Sequence, residues 1–303
     1  MFDIVSVGHL TIDTILLPDR DLPLNVLGGS AAYASLAARR LNATVSVVSK
    51  VGGDFPNAYM SWLEQEGINL SGMVKAENAQ TTRFELKYSN RLSNRKMQLK
   101  SRTPPITLDD LPESLKAKII HIAPIAYEIT YEVVVKLRNC AKLLSLDPQG
   151  LLRNFNENGN VTYCPLPDKR ILEFIDVYKS TLSEIKAVTG MSNVKSAIKA
   201  VHDYGVEIVI VTLGMKGALL SNEKTIYNIT SYESEKIVDP TGAGDAFIGS
   251  FLAEYIQNES LLWCARVGSA AASLIIETVG PKFSGDKVEI YRRARTLYEK
   301  EIK

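Results

Sequence analysis

The residues of this 303-residue chain best equipped for chemistry lie in VDPTGAGDAFIGSFL, residues 238–252, where two glycines and an acid stand at the start of an apolar helix. Glycine costs about 0.5–1 kcal/mol relative to alanine inside a helix, so Gly242 and Gly244 need a reason that lies in the backbone. A helix beginning near Gly242 directs the amides of Gly242, Ala243 and Gly244 outward with about half a positive charge at that end, and small residues let an anion approach them. Asp245 follows in the first turn. The dipole alone favours an acid there. An acid beside a bound phosphate has a further use, because it can take the proton from a hydroxyl attacking that phosphate.

Such a site needs strands that end where helices begin. DIVSVGH (3–9), TVSVVSKVG (44–52), KIIHIAP (118–124), LLSLDP (143–148), IDVYKS (175–180) and VEIVIVTLG (206–214) are short β-branched apolar runs closed by turn residues, and they read as buried parallel strands. Helical spacing fills 30–41, 57–67, 131–141, 182–190 and 193–205, and three more helices follow at roughly 242–257, 260–277 and 286–301. The alternation predicts a doubly wound α/β sheet forming one domain over 1–303. Residues 79–101 alternate instead like a hairpin around SNRLSN. With 11–17 and 23–28 they predict a small β layer, a lid inserted from about 11–28 and 79–101.

Composition narrows the partners. Thirty-five basic against 34 acidic residues leave no field for nucleic acid or an anionic membrane, and 46% hydrophobic residues can build a large core. Cys140, Cys164 and Cys264 lack any C-x-x-C and read as reduced structural thiols, and His9, His121 and His202 have no metal spacing. No apolar run reaches the ~18–20 residues of a membrane span, and the opening stretch carries Asp3 and Asp13 without a basic leader. The expectation is a soluble cytoplasmic protein.

DPTGAGDAFIGSF resembles the C-terminal signature of the PfkB/ribokinase family of carbohydrate kinases, and LGGSAAYASLAARRL (27–41) with SKVGGD (49–54) resembles its N-terminal signature. The order and spacing agree over nearly the whole chain. The resemblance implies a Rossmann-like sheet with a β lid and Mg²⁺-dependent transfer of the γ-phosphoryl group of ATP to an alcohol. It makes Asp245 the catalytic base and the 242–244 amides the anion hole. VTLGMKG (211–217) matches the nucleotide loop, with Thr212, Gly214 and Gly217 lining ribose and phosphates. Asp239 corresponds to an acid near which some members hold a monovalent cation, and a turn before Pro240 explains it equally. Ser269 falls where relatives line the adenine pocket, and tight helix packing is the other reading. Glu184 matches the acid of the family's Asn-x-x-Glu motif, which orients waters on Mg²⁺, but the Asn position holds Thr181.

On the acceptor side, Gly28 and Gly29 resemble the pair whose backbone approaches the sugar, and Asp13 the carboxylate that binds its hydroxyls. Two hydrogen bonds from one carboxylate suit a vicinal diol. Tyr33 replaces the small amide of ribokinases and argues against ribose. SLDPQGLLR (145–153) offers Gln149 and Arg153 to the acceptor and, with GGSAAY and TTRFELKY, resembles a myo-inositol-kinase-like branch. Arg83 on the hairpin reads as an ordinary solvated charge, with closure over the substrate or phosphate as the other reading. The expected substrate is a sugar or polyol, with a nucleoside as the alternative and a non-catalytic nucleotide or sugar binder as the second. Pairing of lid strands between subunits, as in relatives, would give a homodimer.

Overall fold

The apolar runs become strands and helices in the computed structural model, which describes residues 1–89 and 95–302. In chain order the strands are β1 (Phe2–Val7), β2 (Thr11–Leu16), β3 (Leu24–Gly28), β4 (Val45–Gly52), β5 (Ile68–Ala76), β6 (Arg83–Tyr88), β7 (Arg95–Ser101), β8 (Ala117–Ile122), β9 (Ala141–Leu146), β10 (Arg153–Phe155), β11 (Val161–Tyr163), β12 (Val177–Thr181), β13 (Ile208–Thr212), β14 (Ala218–Ser221) and β15 (Ile226–Ile229). The helices are α1 (Ser30–Arg40), α2 (Asn57–Gln65), α3 (Tyr131–Arg138), α4 (Leu182–Thr189), α5 (Val194–His202), α6 (Ala243–Tyr255), α7 (Leu261–Ile275) and α8 (Lys287–Ile302).

The main sheet runs β15-β14-β13-β12-β9-β8-β1-β4-β5. From β13 through β5 the pairs are parallel, and β14 and β15 add an antiparallel edge. Burial on both faces explains the continuous apolar runs of β1, β12 and β13. One core lies against α1, α6, α7 and α8 (Leu36, Phe251, Leu274, Ile290), the other against α3, α4 and α5 (Val133, Ile185, Ile198). The chain steps from β1 outward through β4 and β5, then returns to lay β8, β9, β12 and β13 on the other side of β1. The crevice at the carboxyl ends of β1 and β8 is therefore the switch point at which ligands bind in such sheets.

A second sheet, β3-β2-β6-β7, forms the lid. Its two middle strands are parallel and its outer pairs antiparallel, so β2, carrying Asp13, is an interior strand. Most of the SNRLSN turn, residues 90–94, lies outside the described residues. Three elements go beyond the sequence reading: β5, the β14–β15 edge, and the β10–β11 hairpin that bridges to β7 through Gln98 and Asn160. Among the described residues no helix is long and apolar enough to cross a membrane.

Helices α1 and α6 cross closely because Gly249 lets the backbone of Ala34 approach; a Cβ at 249 would strike the Ala34 carbonyl. Helix propensity alone predicts that Gly249→Ala stabilises by about 1 kcal/mol. The clash reverses the sign, and urea denaturation should give a loss of about 1–3 kcal/mol.

Candidate active site

The first turn of α6 rests on two side chains. Gly242 caps it at φ 79°, and a Cβ there would overlap the ring of Tyr33 from α1. A Cβ on Gly244 would lie 2.6 Å from Lys179 Nζ. Lys179 comes from the middle of β12, is 3% exposed and donates to Asp147 Oδ2 at 2.5 Å. Burial alone would lower its pKa, but the carboxylates of Asp147, Asp245 and Glu184 outweigh it and hold the ammonium above its usual value. Neither Lys179 nor Asp147 was singled out in the sequence. A lysine inside the apolar run VYKST was the available signal.

Asp245 is half-buried in the same corner. Gln149, from the turn after β9, donates through Nε2 to Asp245 Oδ1 at 3.1 Å and to Ser30 Oγ at 2.6 Å. Arg153 in turn donates to Gln149 Oε1 at 2.7 Å and to the Ile125 carbonyl at 2.8 Å. Burial, with the charge of Asp147, raises the Asp245 carboxyl above the ordinary aspartate range, against the opposing pull of Lys179 and the Ser30 hydroxyl.

Asp245, Gly242, Tyr33, Gln149, Arg153, Asp13 and Gly29 line one cavity, roofed by Phe84, Leu86, Arg95 and Met97 of the lid. Gly28 ends β3 and Gly29 caps α1. A Cβ on Gly28 would strike the Asp13 carboxylate, and one on Gly29, at φ 95°, the His9 carbonyl. Asp13 accepts from Thr11 Oγ1 at 2.7 Å, and burial raises its pKa to about 6. The Tyr33 hydroxyl is buried with no hydrogen-bond partner among the described residues. At the far end of the lid, Tyr88 and Thr241 share a 2.6 Å hydrogen bond, and Arg95 donates to Tyr88 Oη at 3.3 Å.

The other predicted residues lie outside this cavity. Thr181 is the N-cap of α4 and forms a reciprocal box with Glu184: Glu184 Oε2 accepts from the Thr181 amide at 2.7 Å, and Thr181 Oγ1 accepts from the Glu184 amide at 3.3 Å. Burial, then the charge of Asp147, raises the Glu184 carboxyl. Thr212 pairs in register with Thr181, and Gly214 and Gly217 follow it in a tight turn with φ of 63° and 87°. Asp239 accepts from the Thr241 amide at 3.0 Å and its hydroxyl at 2.6 Å, as a turn carboxylate does. Ser269 on α7 donates to the Thr230 carbonyl at 3.0 Å. Arg83 turns to Asp54, 2.7 Å away. Among the described residues no cluster of three His, Cys, Asp or Glu side chains could hold a metal by itself.

Asp13 ionises near 3.8 when unfolded and near 6 when folded. Folding thus favours the protonated form; the stability linked to this group is whole below pH 3.8 and is lost as pH rises through about 6. Asp13→Asn removes that loss. It should be more stable than wild type at pH 8 by up to about 3 kcal/mol, with the gap closing near pH 4, in urea titrations at both values.

Comparison with known proteins gives the family and the fold. Residues 1–287 match the pfkB family of carbohydrate kinases. The cytidine kinase of Thermococcus kodakarensis is 30% identical over 92% of this chain and 98% of its own. Two solved structures share the fold. A pyrophosphate-dependent kinase of the ribokinase family, complexed with a pyrophosphate analogue and myo-inositol, has a TM-score of 0.78 at 22% identity, covering 90% of this chain and 94% of that one. Arabidopsis thaliana ribokinase, complexed with ribose and ATP, has a TM-score of 0.78 at 21% identity, covering 97% and 99%. With an acid and a glycine-built helix start meeting in one cavity under a β lid, the chain belongs to the pfkB family of carbohydrate kinases.

Proposed function

We propose that this kinase moves the γ-phosphoryl group of ATP to a hydroxyl of a sugar or polyol, myo-inositol being a candidate, with Asp245 as base. The observation that carries the reading is the meeting of Asp245, the start of α6 and Asp13 in one cavity. An acceptor hydroxyl there faces a carboxylate with a raised pKa, suited to taking a proton. The amides of residues 242–244 stabilise charge on the transferred group. Gln149 and the Ser30 hydroxyl hold Asp245 in place, and Lys179 below favours its ionised form against the burial that opposes it. Asp13 and Arg153 orient acceptor hydroxyls, while Phe84 and Leu86 exclude water.

The donor set suits a hydrated Mg²⁺. Glu184 is a hard oxygen donor, and Mg²⁺ is commonly held by one or two carboxylates together with substrate phosphates. Glu184, with Oε2 committed to the Thr181 amide, would hold the ion through its waters. When bound, the ion supplies positive charge against the phosphates. Thr212, Gly214 and Gly217, at the carboxyl end of β13, would receive the nucleotide, with Ser269 towards its base. The hydrogen bonds of Asp239 favour its turn role over cation binding.

A nucleoside acceptor is the second reading. It is favoured by the apolar lid wall, where the Arg153 guanidinium lies 5.8 Å from the Phe84 ring centroid, and by the name of the cytidine kinase relative.

Asp245→Asn should lower kcat by about 10²–10⁴ while leaving the unfolding midpoint near wild type. Phosphoryl transfer assayed with myo-inositol, ribose, cytidine and adenosine decides the acceptor; unaltered turnover in the variant would overturn the assignment of the base. Activity should fall on the acid side with a midpoint above the usual aspartate value. Lys179→Met removes the cation that favours the carboxylate and leaves Asp147 uncompensated, so that limb should move to higher pH in a kcat profile.

A further inference from the structure

A second cavity, of about 590 Å³, opens where the base of the lid meets the body. Its wall includes Leu99 and Arg102 of the lid, Tyr127 from the loop after β8, and Arg153, Phe155 and Cys164 around the β10–β11 hairpin. Arg153 also lines the acceptor cavity, so one residue borders both.

Three observations give this cavity a chemistry. Its lining includes two arginines and no acidic residue. Arg153 is 4% exposed and commits its two terminal nitrogens to Ile125 and Gln149, while its buried Nε has no acceptor among the described residues. Tyr127 stands at φ 63°, a strained conformation for a bulky residue, and the residue is 44% exposed. That backbone is imposed by Glu128, whose buried carboxylate accepts the amides of Ile125, Ala126 and His9 and so folds the loop tightly around itself. The result puts Tyr127 on the lining of a cavity that Phe155, Arg102 and Arg153 share.

We propose that this cavity is a second ligand site, for a small planar anion bearing a carboxylate or phosphate, and that its occupancy inhibits the kinase through Arg153. An anion there competes for the guanidinium that holds Gln149. Freed from Arg153, Gln149 no longer fixes Ser30 and Asp245. The ligand site stands by itself, whereas the inhibition rests on Asp245 and Gln149 serving the acceptor as proposed above.

Cys164 reports occupancy without any reference to catalysis. It is half-buried in this wall, while Cys140 and Cys264 are buried. The full chain is labelled with neutral dithiodipyridine, with Cys164→Ser identifying the signal, while para-nitrobenzoate is added as the planar anion. Saturable slowing of labelling is expected with the anion and not with para-nitrobenzyl alcohol. Arg102→Gln should need about ten times more anion for half-protection. In parallel, acceptor kcat/KM should fall about five-fold at saturation. Absence of saturable protection at millimolar anion, equal protection by the alcohol, or an unchanged requirement in Arg102→Gln overturns the site. Protection with unchanged kcat/KM overturns the coupling and leaves the assignment of Asp245 intact.

Discussion

The buried ion pair between Lys179 and Asp147 is the interaction on which the corner at the start of α6 depends. It brings one cation under the first turn of α6, within electrostatic reach of Asp147, Asp245 and Glu184. Such pairs are costly to desolvate, and removing one partner typically destabilises by about 3–5 kcal/mol because the other is left uncompensated. Here the arrangement is tied to geometry as well as charge. Lys179 Nζ occupies the space a side chain at 244 would need, and Tyr33 the space needed at 242. The glycines that expose the helix amides above are the same ones that admit the packing below.

The lid is fixed at both ends by buried polar contacts, which orient it where hydrophobic burial alone would not. At its base, His9 meets Thr82 Oγ1 at 3.0 Å and the Pro104 carbonyl at 3.1 Å, while Thr82 and Thr103 exchange backbone and hydroxyl bonds. Burial holds His9 below its usual pKa, consistent with a neutral ring in that network. At the far end Tyr88 binds Thr241, two residues after Asp239 and immediately before Gly242. Lid position and the start of α6 are thereby mechanically joined. A hydrophobic cluster of Ile15, Phe84, Leu86 and Tyr88 fills the space between these ends.

Much of the fold was legible because its signals are local. The parallel strands have apolar β-branched runs, and their helices have a clear period, so β1, β4, β8, β9, β12 and β13 appear within a residue or two of expectation. β5 was hidden because INLSGMVKA is an edge strand of mixed burial with a glycine inside it, a pattern that matches neither a buried nor an amphipathic strand well. β14 and β15 are four residues each and follow a glycine turn that reads equally as a strand exit. Thr181 and Glu184 illustrate a limit of another kind: a three-residue spacing is shared by a helix cap and by the metal motif, so the spacing by itself does not separate the two.

By itself the sequence determined the kinds of element, the glycine-acid run at a helix start, and the residues with chemistry to offer, since these follow from backbone preference and side-chain type at neighbouring positions. Only the tertiary structure decided which of them meet. It gathered Asp13, Tyr33, Gln149, Arg153 and Asp245 into one cavity and put Thr181, Asp239 and Ser269 into capping, turn and helix-tethering bonds. It also made a strand lysine the counter-charge of the site. Partners separated in the chain by tens of residues are selected by sheet order and burial, and neither is written in any local stretch of sequence.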